Sequence, residues 1–174
     1  MIAASSRRLD PARARGWLRA AVSTRPGARS ADVALLAVRA ALAWIFMYYG
    51  GGKLFGWFNG PGIHETALFF SSSAHLRPGG FFAVLAGVIE LGGAIAIALG
   101  LGSRLVGLAL FGDMVMAIIL VTGANGINSE KVPPGYEFNV ALGVLALVVV
   151  LLGPGRFSTD ALVEQRLMVN EKSE

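Results

Sequence analysis

Residues 79–99 read GGFFAVLAGVIELGGAIAIAL, and the reading of this stretch decides the fold. Twenty-one residues carry a single ionisable group, Glu90. A helix needs about 20 residues to cross about 30 Å of hydrocarbon, so Gly79–Leu99 is long enough to span a bilayer. Steps of three and four from Glu90 pass through Ala83, Ala86, Gly87, Gly93, Ala94 and Ala98, which are all small. The opposite side carries Val84, Leu85, Val88, Leu91, Ile95 and Leu99. Small faces pack against other helices and large apolar faces meet lipid. Glu90 is therefore expected to point into a helical bundle.

Three further apolar runs flank this one: roughly Ala31 to Tyr49 before it, then Leu105 to Val121 and Phe138 to Leu152 after it. The pattern predicts an all-α membrane protein, a bundle of four transmembrane helices over residues 31–153. The last two runs are short and need flanking residues or local thinning of the bilayer. Residues 50–78 and 122–136, rich in Gly, Pro, Asn and Ser, are expected to be loops.

Charge sets the orientation. Arg7, Arg8, Arg13, Arg15, Arg19, Arg25, Arg29, Arg104, Arg156, Arg166 and Lys172 fall on one side, against Lys53, Arg77 and Lys131 on the other. Eleven against three puts both termini in the cytoplasm. Residues 1–30 then form a basic cytoplasmic tail that lies near anionic lipid. Trp17, Leu18 and Val22 would make part of it an interfacial helix. Ser6-Arg7-Arg8-Leu9 is not followed by an apolar stretch, so it is not read as a twin-arginine export signal. Residues 154–174 form a C-terminal cytoplasmic tail.

Composition agrees. Of 174 residues, 55% are hydrophobic and 15% charged, with a mean hydropathy of +0.63, which excludes an ordinary soluble enzyme and a disordered chain. There is no cysteine, so thiol catalysis and cysteine-ligated zinc or iron–sulfur clusters are excluded within this chain. The net charge of +4 belongs to the tail and does not describe a nucleic-acid-binding domain.

Beyond Asp32 at the very start of the first run, Arg39, Glu90 and Asp113 are the charged residues inside the apolar runs. Counted from the ends of those runs, each lies roughly 12–14 Å from the cytoplasmic boundary. They are expected to share one layer. That layer reads either as a buried ionic network that fixes helix register or as a site for a polar ligand head, with a proton-exchanging carboxylate. At the outer boundary Gly50-Gly51-Gly52 is expected to close helix one, with Lys53 paired to Glu137 and Asn139 beside them. The aromatic residues Trp44, Phe46, Tyr48, Tyr49, Phe55, Trp57 and Phe58 read as an interfacial belt. His64 and His75 fit no ligand spacing, and no metal is expected.

These residues together resemble the DoxX family of small four-helix membrane proteins. The resemblance runs over about residues 33–163. It rests on Arg39, Gly50-Gly51-Gly52-Lys53-Leu54, Glu90-Leu91-Gly92-Gly93, Leu99-Gly100 with Arg104, Glu137-Phe138-Asn139, and the segment from Gly153 to Asp160. Asp113 is not among the matching elements. The resemblance implies a multi-pass protein of the bacterial inner membrane that anchors or organises a respiratory or oxidative-stress redox complex. On that reading the chain is non-catalytic by itself and holds no cofactor. Its partners are the lipid bilayer and soluble or membrane oxidoreductases, and a homo-oligomer is compatible with it. The alternative is a quinone-interacting oxidoreductase subunit that uses the buried Arg/Glu/Asp layer. A third reading is a small oligomeric transporter.

Overall fold

A computed structural model describes residues 27–171. The expected basic tail and its interfacial helix fall almost wholly outside the described residues. Among those residues there is helix and no strand. Helix α1 runs from Ala28 to Phe55, α2 from Gly62 to Ser72 and α3 from Gly79 to Leu99. Helix α4 spans Ser103–Ala117 and continues through a π-helical turn, Ile118–Thr122, and a 3-10 turn, Gly123–Asn125. Helix α5 is Glu137–Leu152 and α6 is Thr159–Glu171. By length and apolarity, Arg29–Phe55, Gly79–Leu99 and Ser103–Asn125 can each cross a membrane. Helix α5, apolar but 16 residues long, covers about 24 Å.

α1 packs mainly on α3, and α4 mainly on α5. The shared core is Leu42, Phe46, Ala94, Ile97, Leu110, Met114, Leu142, Ala146 and Val149. The small face of α3 is the inward one: Ala83, Gly87, Glu90, Gly93 and Ala94 are buried, while Val84, Leu85, Val88, Ile95 and Leu99 are exposed.

Two expectations about the links need correction. The glycine triplet does not close helix one, which continues to Phe55 and ends at Gly56 in the left-handed region, φ 71°. The triplet is a packing surface. A Cβ on Gly50 would lie 2.5 Å from the Leu91 nitrogen and 2.9 Å from the Glu90 Cβ. The helix thus runs through poor helix formers because α3 leaves no room for a side chain at Gly50 and the Trp57 ring leaves none at Gly51. Nor is 50–78 a loop throughout. Residues 62–72 form α2, which lies against α3 and buries Thr66.

Candidate functional site

Helix register determines which charges meet. Gly50 of α1 is level with Glu90 and Leu91 of antiparallel α3, and Gly87 seats the Leu54 side chain. A Cβ on Gly93 would meet Leu110 of α4 at 2.8 Å, so Glu90 and Asp113, three residues on in opposite directions, are also level. The small residues of α3 therefore set two registers at once.

Arg39 does not join this layer, contrary to the sequence reading. It sits eleven residues before Gly50, about 16 Å along the helix from Glu90. There it meets the end of α3. Its Nε donates to Ile97 O at 2.8 Å and its Nη2 to Ala98 O at 2.8 Å. Its Nη1 donates to Pro154 O at 3.0 Å and Phe157 O at 2.7 Å. The side chain is 1% exposed. A planar guanidinium with five donors suits such a set of carbonyls, and a cation is favoured where a helix C-terminus leaves carbonyls unpaired. The ends of the apolar runs do not mark a common depth: α1 extends past the end of α3, and glycine contacts set the register.

The same end of the bundle holds three more ties, which sequence reading missed as interactions. Asp160 accepts from Gly102 N at 2.8 Å and Ser103 N at 2.9 Å, and so caps the start of α4. Burial works against its ionisation. The Ser103 and Gly102 N–H groups and the Arg39 charge outweigh that and hold its carboxyl below the usual carboxylate range. Arg104 Nη1 donates to Val150 O at 2.8 Å near the end of α5, and Asp32 accepts from Arg156 N at 3.0 Å. Beside them lies an open groove of about 550 Å³, lined by Asp32, Arg104, Arg156, Asp160 and Glu164 among others. The glycines at 100, 102, 153 and 155, all at positive φ, were the visible signal that exposed helix ends gather here.

The second polar cluster is Lys53, Glu90 and Asp113. Lys53 Nζ forms an ion pair with Glu90 Oε1. This corrects the expected Lys53–Glu137 pair. Side chains on a helix tilt toward its N-terminus, which aims Lys53 back toward Gly50 and hence toward Glu90. Glu137 instead accepts from Ser129 N at 3.0 Å, closing the link before α5. Glu90 is 3% exposed and the Lys53 side chain 25%. Asp113, level with Glu90 through the Gly93–Leu110 contact, is close enough to feel both charges. Glu90 Oε2 and Asp113 Oδ2 are buried with no hydrogen-bond partner among the described residues.

Around the cluster, Lys53 Nζ stands 5.9 Å from the centroid of the Tyr49 ring, which neighbours Phe138. Asn139 accepts from Thr122 Oγ1 at 3.2 Å and reaches Met114 Sδ at 3.6 Å, tying the π-helical turn to α5. Of the aromatic residues read as a belt, Phe46 is instead in the core, whereas Trp44, Tyr48, Tyr49, Phe55, Trp57 and Phe58 are exposed. Among the described residues no group of His, Asp and Glu is placed to hold a metal ion.

Compared with known proteins, residues 34–123 match the family model described as DoxX. The matched stretch contains Arg39, Lys53, Glu90 and Asp113, and stops before Glu137, Asn139 and the 153–160 segment. Neither the curated proteins nor the solved structures provide a match.

Proposed function

The chain belongs to the DoxX family of membrane proteins, and on that premise we propose that it is a four-span subunit of the bacterial inner membrane that anchors or organises a redox complex. Both termini face the cytoplasm in this reading, with α5 as the fourth span. One observation carries the anchoring role: Arg39, the most deeply buried cation described, gives four of its five N–H donors to main-chain carbonyls. It builds a braced end face out of the end of α3 and the segment after α5. Next to that face lies a groove with charges of both signs, and the arginine-rich N-terminal segment enters α1 on the same side. A braced, charged face suits the docking of an oxidoreductase. The test is purification in mild detergent from cells with and without residues 1–26. An oxidoreductase retained by the full chain and lost, or released by salt, on truncation supports docking. A redox enzyme whose membrane association is indifferent to the presence of this chain would defeat it.

A second reading, direct interaction with a quinone, draws support from a different observation. The Lys53–Glu90–Asp113 cluster offers a donor and two carboxylates beside the exposed Tyr49 ring. Quinone retained by the purified chain and lost in Lys53→Ala would support it.

A further inference from the structure

Two oxygens in the bundle lack what every buried acceptor needs. Glu90 Oε2 and Asp113 Oδ2 are both buried, and neither receives a hydrogen bond from any donor among the described residues. The two carboxyl groups sit level on facing helices, three residues from the Gly93–Leu110 contact, and are close enough to act on each other's charge. Glu90 Oε1 is already occupied by Lys53. Buried polar atoms are rarely left unpaired, and unpaired acceptors on two neighbouring carboxyl groups have an economical common remedy. A proton placed between them gives each a partner.

Charge counting leads to the same place. Two carboxylates with one ammonium leave one negative charge uncompensated in a layer where an unpaired ion is costly. Among the described residues the neighbouring helices show no second cation paired with either carboxyl group. α1 contributes Lys53 and the exposed Tyr49, while α5 contributes Asn139, whose polar atoms face Thr122 and Met114. Glu137 is held by Ser129 N, and His64 and Glu65 of α2 are exposed at its surface. Arg39 is committed to carbonyls about 16 Å away.

We infer that Glu90 and Asp113 share a single proton beside the Lys53 ammonium, so that the cluster is a proton-exchange site and not a closed salt bridge. No bond other than O–H is made or broken, and the proton leaves to water or to a bound base, with Lys53 then facing two carboxylates. Lys53 is the member of the cluster that solvent can reach, since a quarter of its side chain is exposed. The site stands on these three side chains and holds whether or not the chain joins a redox complex, so the two readings fail separately.

Infrared spectroscopy of the full-length protein in lipid nanodiscs tests it. At neutral pH the wild type should show the C=O stretch of one protonated carboxyl, shifted in D2O. Glu90→Gln and Asp113→Asn should each abolish the band, because the remaining carboxylate then pairs with Lys53. Lys53→Gln should enlarge it, because both carboxyl groups must then be neutral. The Lys53→Gln arm keeps the test decisive if one of the other variants fails to fold. A wild type without the band would overturn the inference. So would a band that survives in either single carboxyl variant, which would put the proton on one residue alone, or one that does not grow in Lys53→Gln.

Discussion

Lys53 and Glu90 lie 37 residues apart in sequence and form an ion pair between α1 and α3, with the carboxylate buried and the ammonium partly exposed. Lys53→Ala and Glu90→Ala should therefore be strongly non-additive, with a coupling of about 0.5–3 kcal/mol in a double-mutant cycle. Lys53→Ala combined with Glu137→Ala should add within error, since Glu137 is engaged by Ser129. Thermal unfolding in detergent, followed by tryptophan fluorescence, measures both cycles.

Arg39→Leu should lower stability by roughly 3 kcal/mol or more, because it strips hydrogen bonds from four buried or half-buried carbonyls. Arg39→Lys should rescue little of this, since an ammonium cannot reproduce the guanidinium fork. Adding Glu90→Leu to Arg39→Leu should give additive losses, as expected of sites more than 10 Å apart. A shared ionic layer would instead give coupling.

Gly100→Ala should be among the most damaging single-methyl changes. Gly100 has φ 70°, and a Cβ there would lie 2.5 Å from Arg39 Nη2 and 2.5 Å from Ser158 Cβ. The left-handed backbone alone costs about 1–2 kcal/mol for a residue with a Cβ. Gly92→Ala, where a Cβ meets nothing within 4 Å, is the control and should be tolerated.

Asp160→Asn should cost about 1 kcal/mol at neutral pH by weakening the cap on α4. The folded carboxyl titrates below its unfolded value of about 3.9. Its contribution is present above that value and is lost as pH falls through the folded pKa. The difference between wild type and variant should thus shrink only at strongly acidic pH, and unfolding curves across that range give the check.

Single cysteines in this cysteine-free chain test the membrane topology. One at Ser72, exposed at the end of α2, should react with an impermeant thiol reagent in intact cells. Cysteines at Ser5 and Ser173 should be shielded until lysis. Labelling at Ser5 before lysis would reverse the orientation.

The inward face of α3 was legible in the sequence because small residues recur at helical spacing around Glu90, and the structure buries that face. The partners of Glu90 and Arg39 were not legible. Both depend on where two helices are clamped together, and Gly50 provides that clamp from within a triplet that read as a helix end. Nothing in the local pattern separates a glycine that stops a helix from one that lets a neighbour touch its backbone. The partners of Arg39 were hidden for a second reason. They are carbonyl oxygens, which every residue possesses and no letter of the sequence announces.

The Arg39 hydrogen bonds also impose an order on biogenesis. Two of its acceptors, Pro154 and Phe157, lie 115 and 118 residues downstream. While the ribosome is still making α5, the guanidinium has only the Ile97 and Ala98 carbonyls to hold, and the nascent first helix carries a half-satisfied cation. Closure of the bundle waits for the segment after α5 to emerge and fold back. A chain ending before Pro154 would therefore leave two of the four Arg39 hydrogen bonds unmade, however well its first helices had packed.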